Sequence, residues 1–196
     1  MARPLHPKSK EEILEIVIPL FAVSGYNGIS MRNLAKGVGM SVAAVYHHFS
    51  DKETLYLAAI AHAFKNKQEL SKALDAGTSP EERLGNFLNH FSQSIHLYPD
   101  FHRLINWELL DGDEKRLRLL VDQVFREQFK AISTLAKELA PDLDPHLLAI
   151  SLVGLANYHD LTKSIRPFLP GYSADHEDPQ TLGRHMLSLL LSGLSR

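Results

Sequence analysis

The sequence predicts an all-α protein. About nine helices form an N-terminal three-helix unit containing a helix-turn-helix, followed by a C-terminal helical bundle. Three observations carry this prediction. Apolar residues recur at helical spacing throughout, and alternation with period 2 is absent. Helix-start signatures are frequent and legible. Proline, glycine and aspartate gather in short breaks between the periodic segments.

Ser9-Lys10-Glu11-Glu12 reads as a capping box and opens a helix over 9–24, with Pro19 inside it as a source of a bend. Helices over 30–38 and 42–48 follow, separated by Gly39-Met40. Ser50-Asp51-Lys52-Glu53 reads as a second capping box, starting a long helix over 51–74. Ser79-Pro80-Glu81-Glu82 caps a helix over 79–98, and helices over 100–110 and 114–139 come next. Asp144-Pro145 and Asp178-Pro179 place a cap before a proline, which loses nothing at a first helical position. They open helices over 145–166 and 178–195. The stretch from Pro167 to Glu177 reads as the longest irregular loop.

Composition narrows the function. The 196 residues can bury a substantial core. There is no cysteine, which excludes a disulfide scaffold, a thiolate zinc site and a cysteine nucleophile. No apolar run reaches the roughly 18 residues of a membrane span, and the polar N-terminus lacks the apolar stretch of a secretory signal. A cytoplasmic protein with no membrane association is expected. The formal net charge is -2, but it is unevenly placed. Residues 1–72 hold nine Lys/Arg against six Asp/Glu, whereas the remainder holds twelve against seventeen. A basic end suits a polyanion.

The 30–52 segment supports that assignment. Met31, Leu34, Ala35 and Val38 share one face of the first short helix, and Val42, Val45 and Phe49 recur on the second. Helices this short are unstable alone. They need Ile13, Val17, Leu20 and Phe21 of the first helix to pack against. Three helices with a glycine-containing turn fit a helix-turn-helix, whose second helix enters the major groove. Ser30 at a helix start can donate to a phosphate. Tyr46, His47 and Lys52 supply further donors, and Arg3, Lys8 and Lys10 form a basic arm.

The motif series Leu20-Phe21-Ala22, Gly25-Tyr26, Ser30 to Ala35, Gly39, Ser41, Tyr46-His47-His48-Phe49, Lys52-Glu53 and Leu55 resembles the N-terminal domain of the TetR family of bacterial transcriptional regulators. The resemblance covers about residues 10 to 57. Ala43 departs from the glycine many members carry, and alanine suits a helix. The resemblance implies that Tyr46 and Lys52 contact phosphates. It implies that Ser41, Val42, Ala44 and His47 face base edges. Val42 and Ala44 can touch a thymine methyl but form no hydrogen bond, so Arg32, His47 and DNA shape are expected to carry more of the specificity.

Residues 1–52 are therefore expected to be the DNA-binding domain, and 53–196 an effector-binding and dimerisation domain. The C-terminal aromatics fit either a core or an apolar pocket with a few polar groups. Phe91, Trp107, Phe125, Tyr158 and His159 are the expected pocket residues. The helices over 145–166 and 178–195 are apolar nearly all round, which implies burial on more than one side. The resemblance implies that they build a two-fold dimer, which would present two heads to a near-palindromic operator in double-stranded DNA. Eleven histidines show no ligand spacing and catalytic motifs are lacking, so no metal, no cofactor and no enzyme activity are expected. The reading is a ligand-responsive DNA-binding regulator, a repressor released by a small, mostly apolar effector. Its alternatives are a small-molecule-binding helical module with a vestigial DNA head, and an effector-free DNA-binding protein.

Overall fold

The computed structural model describes residues 8–65, 74 and 76–194. Among these the regular structure is helical, with no strand. The first four helices are α1 (Lys10–Ser24), α2 (Met31–Val38), α3 (Val42–His48) and α4 (Lys52–Lys65). Then come α5 (Pro80–Leu97), α6 (Pro99–Asp111) and α7 (Glu114–Leu120). A π-helical turn over Val121–Phe125 leads into α8 (Arg126–Leu139), and α9 (Pro145–Leu161) and α10 (Pro179–Leu194) complete the chain. Most of the expected continuation of α4 to residue 74 lies outside the described residues.

Local chemistry sets the helix starts. Ser9 and Glu12 form the reciprocal capping box, at 3.1 and 2.7 Å. The Asp144 and Asp178 carboxylates accept from the Leu147 and Thr181 amides at 2.9 and 2.8 Å. The cap of α4 differs from expectation. Asp51 accepts from the Thr54 amide at 2.7 Å, while the Ser50 hydroxyl donates to Asp51. A carboxylate one residue nearer the helix is the stronger acceptor for its unpaired amides. α1 runs through Pro19, which stands on its exposed side.

The chain divides into two compact units, residues 1–67 with 99–124 and residues 68–98 with 125–196. They do not coincide with the 1–52 and 53–196 division expected from sequence. α4, α6 and α7 fold with the N-terminal helices, so the first unit holds more than the helix-turn-helix. Its interior is α1 against α2, α4 and α6. Ile13, Val17, Phe21, Leu34, Val45 and Leu55 are fully buried there. Burying each such side chain stabilises by about 1.5–3 kcal/mol relative to exposure.

The second unit is built mainly on α5 against α10, with α8 and α9 alongside. Leu84, Phe87, Leu88, Leu152 and Met186 form its fully buried centre. The expected loop from Pro167 to Glu177 is more ordered than its composition suggested. It carries 3-10 turns at Arg166–Phe168 and Ala174–Glu177. Its ends are clasped by Arg166, whose guanidinium donates to both Glu177 oxygens at 3.1 and 2.6 Å.

Candidate nucleic-acid interface

The interface is built on the turn between α2 and α3. Gly39 ends α2 at φ +75°, a left-handed conformation that glycine adopts without a Cβ penalty. The Gly39 amide donates to the Lys36 carbonyl at 3.1 Å and the Met40 amide to the Ala35 carbonyl at 3.0 Å. These two bonds close α2 and set the angle at which α3 leaves. Leu34, Ala35, Val38, Val45 and Phe49 are buried beneath the turn. The helices are therefore held by packing, and the opposite face stays open.

That open face carries the predicted contact residues. Ser30, Arg32, Ser41, Tyr46 and His47 are exposed, and Val42, Ala44 and Lys52 are half-buried. Ser30 Oγ accepts from the Asn33 amide at 3.2 Å, and Ser41 Oγ accepts from the Ala44 amide at 3.1 Å. Each hydroxyl caps its helix as an acceptor and keeps its own proton to donate outward. Phosphate oxygens accept and helix N-termini favour anions, so Ser30 suits a backbone contact, while the Ser41 hydroxyl keeps a proton for an acceptor on a base edge. Lys10 belongs to α1 and its ammonium lies 5.7 Å from the Phe49 ring. Lys8 is half-buried, and Arg3 lies outside the described residues.

Lys52, at the first position of α4, stands over the Tyr26 ring with Nζ 4.5 Å from its centroid. Partial burial lowers its pKa below the usual lysine value, and the Arg116 charge lowers it further. Tyr26 is the hub of a cluster that sequence reasoning missed. The Arg116 guanidinium carbon lies 4.3 Å from the same ring, and Tyr56 lies 5.2 Å away by centroids. Arg116 is 4% exposed, and its Nε donates to both oxygens of Glu108, itself 1% exposed, at 3.2 and 3.1 Å. Asp111 and Asp113 also pair with it. Burial opposes the Arg116 charge, but the three carboxylates outweigh that and hold it firmly protonated. Burial also raises the Tyr56 hydroxyl, reinforced by the Glu108 charge, so the phenol stays neutral. No sequence signal joins these residues, because they lie up to ninety positions apart.

The expected pocket residues are dispersed. Trp107 belongs to the first unit. Its indole Nε1 donates to the Ala22 carbonyl at 3.1 Å, and its ring lies against Gly25. It borders an open surface hollow of about 390 Å³ with Val23, Arg103, Asn106 and Leu110. Phe91, Phe125, Tyr158 and His159 belong to the second unit. Phe91 packs beside Phe87 with centroids 5.9 Å apart, and Phe125 ends the π-helical turn. Tyr158 is 65% exposed on the outer side of α9. His159 is half-buried, and its carbonyl accepts from Arg166 at 2.7 Å. Burial and the Arg166 and His185 charges lower its pKa, favouring the neutral ring. Among the described residues no three His, Asp or Glu side chains form a metal-binding group. None of the described helices is long and apolar enough to cross a membrane.

A packed three-helix head that turns hydroxyls, a guanidinium and an imidazole outward, in a chain with a second helical unit, defines a helix-turn-helix regulator class. Residues 18–59 match the model of the bacterial regulatory proteins of the tetR family. It is 51% identical over 49 residues to the transcriptional repressor AcnR of Corynebacterium diphtheriae, covering 25% of this chain and only 26% of that protein. It is 27% identical to the transcriptional repressor KstR2 of Mycolicibacterium smegmatis, across 98% of this chain and 94% of that one. The fold resembles that of the transcriptional regulator FadR from Bacillus subtilis in complex with stearoyl-CoA. That likeness has a TM-score of 0.77 at 15% identity, over 94% of this chain and 99% of the other.

Proposed function

We propose that the protein is a homodimeric, ligand-responsive transcriptional repressor that binds a near-palindromic operator in double-stranded DNA. The observation that carries this reading is the open face of α2 and α3, where Ser30, Arg32, Ser41, Tyr46 and His47 are all exposed above a buried backing. Ser30, Tyr46 and Lys52 are assigned to phosphates. Ser41, Val42, Ala44 and His47 are assigned to base edges, with Arg32 and DNA shape adding specificity. The division of labour at 52/53 is retained for function, with the head reading DNA and the remainder binding effector and partner. The protein acts in the cytoplasm, where its operator lies, and has no catalytic role.

Dimerisation is supported by an apolar stripe along α9 and just beyond it. Leu147, Ile150, Tyr158, Leu161, Ile165 and Phe168 are each 52–85% exposed. They recur at the spacing of one helix face, with Gly154 open between them. So continuous an exposed apolar surface marks an interaction site. Leu189 of α10, 54% exposed, fits the same use. The effector is assigned as a small, mostly apolar molecule held by the second unit, with Phe91 and Phe125 as its candidate contacts; Trp107 lies in the first unit and Tyr158 on the exposed stripe, so neither is kept in this assignment. The stearoyl-CoA bound by FadR, whose fold this chain resembles, makes acyl-CoA thioesters the first class to try.

Release is the test. An operator obtained from random duplex DNA is labelled, bound and followed by fluorescence anisotropy while thioesters of increasing chain length are added. Saturable release by one chain-length class is expected. Operator binding that no ligand relieves would support the effector-free alternative. Tight ligand binding with sequence-insensitive DNA binding would support the vestigial-head alternative.

A further inference from the structure

We propose that Tyr26 is a positioning residue for the DNA contact of Lys52, and that Arg116 with Glu108 holds the Tyr26 ring where Lys52 needs it. This rests on the DNA-binding reading above and concerns residues that touch no DNA themselves. A lysine side chain is a flexible four-carbon stem, and ordering it on a phosphate costs rotamer freedom. Here the ammonium already has a seat 4.5 Å over an aromatic face, which attracts a cation through its quadrupole.

The seat is fixed from several sides. Arg116 lies 4.3 Å from the same ring and is anchored by buried Glu108. Asn27, next in sequence to Tyr26, donates to Asp111 at 2.9 Å, and Asp111 also pairs with Arg116. The first turn of α4 is tied to α7 as well, because Lys115 meets Glu53 at 2.6 Å. Two cations share one ring because three carboxylates face Arg116 and offset part of its repulsion of Lys52. The corner of α6 and α7 thus determines where a DNA-facing ammonium rests before DNA arrives.

A double-mutant cycle tests this on the full-length protein. Operator affinity is measured by anisotropy at two salt concentrations for wild type, Tyr26→Phe, Tyr26→Leu, Lys52→Ala and Tyr26→Leu with Lys52→Ala. Tyr26→Phe keeps the ring and should hold wild-type affinity. Tyr26→Leu should weaken binding about threefold or more, the factor expected for an exposed cation–π contact. That loss should vanish in the Lys52→Ala background. An equal loss in both backgrounds would make Tyr26 merely structural and overturn the proposal. A gain in affinity would overturn it too, since the ring would then be restraining Lys52. A Lys52→Ala variant with wild-type affinity and salt slope would remove the assumed contact, a failure of the underlying reading visible without any Tyr26 variant. If Tyr26→Leu does not fold, NMR of the wild-type protein decides. The Lys52 Hε protons should show an upfield ring-current shift that lysines away from any ring lack, and its absence would overturn the proposal.

Discussion

Side chains on the open face of α3 are short or uncharged, and this limits what each can read. His47 alone among the expected base readers has a ring that both donates and accepts. His47→Ala should change the preferred base at one position in each half-site, and sequencing selected DNA from the variant would show it. An unchanged preference profile would remove His47 from the readers. Lys52 contributes charge rather than sequence information. Lys52→Ala should weaken binding uniformly across sequences and reduce the salt slope by about one counterion. His159 offers a pH prediction. Its pKa is lowered by burial, by Arg166 and by His185, while Glu177 pulls the other way. A histidine with a depressed folded pKa favours folding above the unfolded value, and that stability is lost as pH falls. Stability should therefore decline below about pH 6.5, and His159→Gln should flatten the decline in chemical-denaturation curves recorded across that range.

Helices and their turns were the most legible part of the sequence, because their signals are local. Ser9, Ser30, Ser41, Ser79, Asp144 and Asp178 cap the helices they precede. The start of α4 was misread by one residue, since Ser50 and Asp51 are adjacent acceptors and composition does not rank them. The Arg166–Glu177 clasp escaped notice because its partners stand eleven positions apart. The π-helical turn at Val121–Phe125 leaves no compositional mark at all. The Trp107 hydrogen bond to the Ala22 carbonyl links residues 85 positions apart, so periodicity cannot separate pocket wall from packing. Two predictions belong at this scale. Gly39→Ala should destabilise by about 1–2 kcal/mol through its left-handed backbone alone, since no residue beyond its chain neighbours lies within 4 Å of the added methyl. Arg116→Met should cost about 3–5 kcal/mol by stranding buried Glu108. Both are checked by urea unfolding.

For the molecule as a whole, the proposal is that two heads act together. A substitution on the exposed α9 stripe, such as Ile150→Asp, should yield a monomer by sedimentation. It should lose most operator affinity while leaving each head folded. In this reading the chain reads DNA sequence as a symmetric dimer. A binding selection from random duplex DNA, sequenced at two salt concentrations, tests it most directly. One near-palindromic motif is expected at both salts, with half-sites about one helical turn apart. Binding without any enriched motif, abolished at the higher salt, would contradict it.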